Sequence, residues 1–166
     1  MGSIMSVVYA NLTLGYLEHL AYEKARTEHG EEYSNYLKEF WKRFLDDCFL
    51  LWCNKLGNVE SISRLFNSMH NVLQFTREES KIQLPFLDTM VIIKDGCVIT
   101  DIYSKPTDTH QYLPFNSNHP HHTKIAVPYN LARRIKLIVT EPDTQKRRFE
   151  ELKHDLLLKK IPHWYY

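Results

Sequence analysis

Two adjacent carboxylates, Asp46 and Asp47, interrupt an otherwise apolar run from Phe44 to Trp52. Ionised carboxylates in such a run are costly unless they lie at an exposed turn or bind a cation. Presented on a turn, their oxygens suit magnesium, which takes carboxylates and substrate phosphates in octahedral geometry. Two such ions about 3.5 to 4 Å apart can activate a primer hydroxyl and stabilise the leaving pyrophosphate in nucleotidyl transfer. That chemistry needs a further carboxylate, and no single candidate upstream of Asp46 stands out. An isolated Asp-Asp pair also makes a plain polar hairpin turn, so the dipeptide alone leaves both readings open.

Two other sets of side chains invite a chemical reading. His110, His119, His121 and His122 crowd one segment, but without a nearby Cys or a His-x₃₋₅-His pair following CxxC they read as solvated loop histidines rather than a zinc site. The cations Arg133, Arg134, Lys136, Lys146, Arg147 and Arg148 fall near the C-terminus. They either face solvent beside Glu150 and Glu151 or follow a nucleic-acid backbone through its phosphates.

Helical spacing predicts a helix from about Met5 to Arg26, ended by His29-Gly30, and another beginning near Tyr33. The run Phe44–Trp52 then predicts a buried hairpin. Val59, Ile62, Leu65, Phe66, Met69, Val72 and Leu73 predict a helix of about four turns. The segments 84–93 and 97–103 are β-rich and joined by Lys94-Asp95-Gly96, so Phe86 to Tyr103 predicts a hairpin. Residues 105–123 read as irregular. Pro128 suits the first turn of a helix that ends before Pro142, and a last helix is expected from about Asp143 to Lys160.

Several blocks together resemble the palm motifs of Penelope-like retroelement reverse transcriptases. They are Met1-Gly2-Ser3, Tyr9-Ala10-Asn11, Gly15-Tyr16-Leu17-Glu18 and Arg43-Phe44-Leu45-Asp46-Asp47 with Leu51-Trp52, followed by Leu84-Pro85-Phe86-Leu87-Asp88-Thr89 and Asp101-Ile102-Tyr103-Ser104-Lys105-Pro106-Thr107-Asp108. His110-Gln111-Tyr112-Leu113, Asn118-His119-Pro120 and Pro128 to Ile135 extend the match in order over nearly the whole chain. The resemblance implies an α+β fold, a partial right-handed polymerase palm over residues 1 to 115 and a small helical thumb, helix-turn-helix-like, over 116 to 166.

It further implies that Asp46 and Asp47 are catalytic, metal-binding carboxylates for Mg2+, with Asp46 the more direct ligand. Gly2, Ser3, Ser6 and Asn11 would line the nucleotide and template, and the hairpin residues Phe86, Asp88, Tyr103 and Lys105 would lie against the primer. The partners so implied are an RNA template, a DNA primer and deoxynucleotides. Two departures stand out: Val7 follows Ser6 where relatives carry Pro, and the aromatic-x-Asp-Asp motif reads Phe44-Leu45-Asp46-Asp47. Met1 aligns with an internal residue of the family's enzyme, so the fingers and the earlier palm aspartate are expected to lie outside this chain, which alone is expected not to catalyse polymerisation. On that alignment the lipidation-like pattern Met1-Gly2-Ser3-Ile4-Met5-Ser6 is accidental.

Two readings from other classes compete. Pro128 to Val139 and Asp143 to Lys160, joined by Thr140-Glu141-Pro142, would make a helix-turn-helix nucleic-acid-binding module, and the chain could equally be a domesticated, non-catalytic interaction protein. Composition is neutral between them. Residues 1–118 hold 11 Lys and Arg against 15 Asp and Glu, a net of −4, and residues 119–166 hold 10 against 5, a net of +5. A basic C-terminal third is compatible with phosphate contact. Cys48, Cys53 and Cys97, odd in number and without CxxC spacing, read as reduced intracellular thiols. No apolar run has the roughly 18 residues of a membrane span.

Overall fold

The computed structural model describes residues 4–109 and 112–158. The chain divides into two compact units, Met1–Glu78 and Glu79–Tyr166. Both mix helices with antiparallel strands, so the α+β expectation holds at that level.

In the first unit, α1 runs over Ile4–His29. Gly30 stops it at φ 94°, a conformation in which a Cβ would be strained, and its N–H closes on the Arg26 carbonyl at 3.1 Å. Helix α2, Glu31–Phe40, follows at once, with Glu31 and Glu32 placed to complement the N-terminal end of its dipole. Ala21 and Ala25 lie one turn apart on α1 and are fully buried, so α2 can approach closely and fill the seam with Tyr33 and Leu37. The buried Ser34 satisfies its hydroxyl by donating to the Tyr22 carbonyl at 2.8 Å. Ile62, Leu65 and Phe66 of α3 complete this core.

Helix α3 spans only Glu60–Asn67, shorter than the apolar spacing predicts. Side chains divert the backbone after it. The Asn67 amide accepts the Phe75 N–H at 2.6 Å and donates to the Phe75 carbonyl at 3.1 Å, while His70 Nδ1 accepts the N–H groups of Val72 and Leu73. Such bonds compete directly with a helical ladder. Phe75 is thereby held edge-on against Trp41 and Phe66.

A hairpin does form, from β1, Trp41–Phe44, and β2, Asp47–Leu50, with Phe44 opposite Asp47 and Leu45-Asp46 as the two-residue loop, but it begins earlier than expected and is exposed or half-exposed throughout rather than buried.

The second unit begins with a meander of β3 (Gln83–Phe86), β4 (Thr89–Lys94) and β5 (Cys97–Ile102), in that order. Asp95 and Gly96 take φ of 52° and 76°, as the predicted tight turn requires. The segment 84–93, expected as one β-rich stretch, instead folds back at Leu87-Asp88 to make β3 and β4. This turn, Phe86-Leu87-Asp88-Thr89, matches Phe44-Leu45-Asp46-Asp47 in design: Leu87 and Leu45 take φ of 55° and 56°.

Helix α4 covers His121–Ile138, beginning seven residues before the proline expected to open it. Pro120 occupies the cap, and its carbonyl accepts the N–H groups of Thr123 and Lys124. Pro128 lies buried inside the helix, where it removes the ladder bond to the Lys124 carbonyl. Pro142 is the proline that opens a helix, α5, Pro142–Leu158. Ile135, Val139, Leu152 and Leu156 form the core between α4 and α5, and Ile102 of β5 packs onto it. That packing joins the sheet to the two helices within the second unit, Glu79–Tyr166. No described helix is long and apolar enough to cross a membrane.

Candidate nucleic-acid interface and carboxylate turn

Asp46 and Asp47 are exposed at the β1–β2 loop. Leu45, in the left-handed region without glycine's freedom, carries a cost of roughly 1 kcal/mol there, and Arg43 holds the turn in place. Its Nη1 donates to the Leu45 carbonyl at 3.1 Å and to Asn11 Oδ1 at 2.9 Å, and its Nε donates to Glu18 Oε1 at 2.6 Å. Trp41 Nε1 donates to the same Glu18 oxygen at 3.0 Å. The Arg43–Glu18 pair is largely covered, with side-chain exposures of 13% and 17%. Asn11, Glu18 and the Asp46 turn, far apart in sequence, therefore converge on one guanidinium.

Burial, aided by the Glu18 carboxylate, pushes the Tyr22 phenol up to about 12 and the Cys48 thiol up to about 11. Both stay protonated at neutral pH, so the unliganded Cys48 is a poor nucleophile. Hard carboxylate oxygens on an exposed turn suit Mg2+, which is held in many sites by one or two carboxylates plus phosphates and water. Among the described residues, no group of three or more His, Cys, Asp or Glu gathers into a cage. Ser6 is exposed on α1, while Gly2 and Ser3 lie outside the described residues.

In the second unit, Asp88, Tyr103 and Lys105 do come together, lining an open groove with Leu87 and Arg134. Arg134 Nε donates to Asp88 Oδ2 at 2.8 Å, and the Tyr103 N–H donates to the Asp88 carbonyl at 2.9 Å. Phe86 is half-buried on β3.

The connection between α4 and α5 is fastened to β5. Thr140 N–H donates to the Thr100 carbonyl at 3.1 Å, Thr100 N–H donates to Thr140 Oγ1 at 2.9 Å, and the Thr100 hydroxyl donates to the Ile138 carbonyl. Lys94 pairs with Glu141 at 2.5 Å. One residue on, Asp101 receives Arg148 in a two-pronged contact, Nε to Oδ1 at 2.9 Å and Nη2 to Oδ2 at 2.7 Å, with Arg147 at 3.8 Å. Burial alone would raise the Asp101 carboxyl; the Arg148 hydrogen bonds, the Ile102 N–H and the two guanidinium charges outweigh it and hold the group below its ordinary value. The same pairing raises Arg148.

The six cations singled out at the C-terminus thus separate. Arg148 and Arg134 hold the sheet to the helices, and Arg147 lies 3.7 Å from Glu151. Arg133, Lys136 and Lys146 are exposed. Thr100, Asp101 and Thr140 were not anticipated from sequence, because nothing local in a β-rich strand marks a residue as a clamp for a turn 40 positions away.

Two consecutive packed helices joined by Val139-Thr140-Glu141 define a helix-turn-helix arrangement seated on a small antiparallel sheet. Residues 111–165 match the family model described as the animal helix-turn-helix domain, to which this segment is similar. No curated protein and no solved structure matches the chain.

Proposed function

We propose that this chain binds nucleic acid through its C-terminal unit, acting as a helix-turn-helix module. The observation that carries this reading is the similarity of residues 111–165 to the animal helix-turn-helix domain, coinciding with the two packed helices α4 and α5. The +5 balance of residues 119–166 favours a polyanionic partner. Fluorescence anisotropy of the intact chain with labelled duplex DNA and with an RNA–DNA hybrid tests it. Binding that weakens with salt, log K falling by about 0.9 per phosphate contact against log salt on B-DNA, is expected. Absence of binding to either duplex at low salt rejects it.

A second reading is a fragment of a Penelope-like reverse transcriptase, in which Asp46 and Asp47 hold Mg2+ and the partners are an RNA template, a DNA primer and deoxynucleotides. What favours it is the convergence of Asn11, Glu18 and the Leu45 carbonyl, each from a different block of the resemblance, on Arg43 beside the aspartate turn. A bound ion there would supply charge stabilisation to a phosphoryl group, while Arg43 keeps the loop in register. Titration with Mn2+ as a paramagnetic stand-in should broaden the amide signals of Leu45 to Cys48 first, and Asp46→Asn should remove that effect. Broadening that persists in Asp46→Asn would sink the metal assignment.

A further inference from the structure

In a helix-turn-helix the second helix ordinarily enters the groove of the nucleic acid. The charges of this unit are arranged the other way round. Helix α4 carries Lys124, Arg133, Arg134 and Lys136 and no acid, whereas in α5 four acids, Asp143, Glu150, Glu151 and Asp155, offset four bases. Two of the α5 bases, Arg147 and Arg148, lie against Asp101 and Glu151, and Lys153 lies 4.0 Å from Glu150. Among the described α5 bases Lys146 alone is exposed and outside an ion pair, so at every other base of α5 a phosphate would meet carboxylates or would have to break existing pairs.

On α4 the cations are sorted by face. Lys124 donates to the Ser117 carbonyl and lies over the Phe115 ring, and Arg134 pairs with Asp88, so both are used internally. Arg133 and Lys136 are exposed and make no ion pair among the described residues. With Tyr129, itself 64% exposed, they recur at i, i+4 and i+7, which places all three on one stripe of the helix, away from the buried Pro128 and Ile135. A phenol among unpaired cations on an acid-free face has the chemistry of a phosphate-backbone contact: two charges and one hydroxyl donor.

We infer that α4, through Tyr129, Arg133 and Lys136, is the helix that meets the phosphate backbone of a nucleic-acid duplex, and that α5 serves to hold it on the sheet. This rests on the nucleic-acid reading above and assigns its contact surface. Tyr129, Arg133 and Lys136 together span about two turns of the helix, roughly 10 Å along its axis, which suits a continuous backbone better than an isolated anion.

The test uses the intact chain and duplex DNA, followed by fluorescence anisotropy across a salt series, with an RNA–DNA hybrid in parallel to distinguish the two backbones. Arg133→Ala/Lys136→Ala should weaken binding about tenfold at moderate salt and flatten the salt slope by roughly two phosphate contacts. Tyr129→Phe should produce a smaller loss with an unchanged slope, and Lys146→Ala/Lys153→Ala a loss of about twofold or less. Far-UV circular dichroism reports whether each variant keeps the fold, and because all these side chains are exposed they are expected to. Wild-type binding with the α5 pair causing the larger loss would overturn the assignment of α4 while leaving the nucleic-acid reading intact. Absence of wild-type binding would overturn both.

Discussion

Arg43→Met should destabilise the N-terminal unit by about 3 kcal/mol, the size expected when one partner is removed from a covered ion pair. Among the described residues Glu18, whose side chain is 17% exposed in the wild type, would keep only the Trp41 indole N–H as a partner, and the Leu45 carbonyl and Asn11 would lose their common donor. The penalty is mainly that of a stranded charge. Arg43→Met combined with Glu18→Leu should therefore recover part of the loss, because it removes the stranded charge while leaving the Trp41 indole N–H without its acceptor. Urea unfolding followed by tryptophan fluorescence measures both, Trp41 and Trp52 being packed in this unit. A single-variant loss below about 1 kcal/mol would contradict the placing of Arg43 at the centre of the unit.

Asp101→Asn should cost the C-terminal unit about 2 to 3 kcal/mol, the range for hydrogen bonds between charged groups with little solvent access. Asp101 is only 13% exposed, whereas Arg148, at 31%, is partly screened, which keeps the figure below that for Arg43. The pH dependence has a definite sign. The folded-state carboxyl is held below its ordinary value of 3.8, so the folded protein binds that proton less readily than the unfolded chain. The contribution is complete above about pH 4 and disappears as pH falls through the lowered folded value. Acid unfolding monitored from neutrality downward should show a shallower limb in Asp101→Asn than in the wild type, and parallel limbs would refute the coupling.

The legible parts of the fold were those encoded by nearest neighbours. Asp95-Gly96 announces its turn because both positions need positive φ, and Gly30 announces the end of α1 for the same reason. The turns at Leu45 and Leu87 use leucine where turn residues are expected. The first was recognised only from its two aspartates, and the second was missed. The end of α3 was hidden because the bonds that replace its ladder run from Asn67 to Phe75, a pairing that exists only once Trp41 and Phe66 have made a place for that ring. Pro128 was misplaced because proline usually opens helices, whereas here the Pro120 cap starts α4 earlier.

The candidate sites divide along similar lines. Asp46 and Asp47 could be found as charges in an apolar run, but the residue organising their turn, Arg43, became visible through its contacts with α1. The C-terminal cations could be picked out by type alone, while separating Arg148 and Arg134 from Arg133 and Lys136 required Asp101 on β5 and Asp88 in the β3–β4 turn. Charge in a sequence shows that cations are present; pairing in the fold shows which remain for a partner.

Amide chemical-shift mapping of the intact chain on titration with a short DNA duplex tests the central claim most directly. The largest perturbations are expected along α4, at Tyr129, Arg133 and Lys136, with smaller ones in the Thr140 turn and α5. Shifts confined to residues within Met1–Glu78, or none with duplex in large excess at low salt, would contradict nucleic-acid binding by the C-terminal unit.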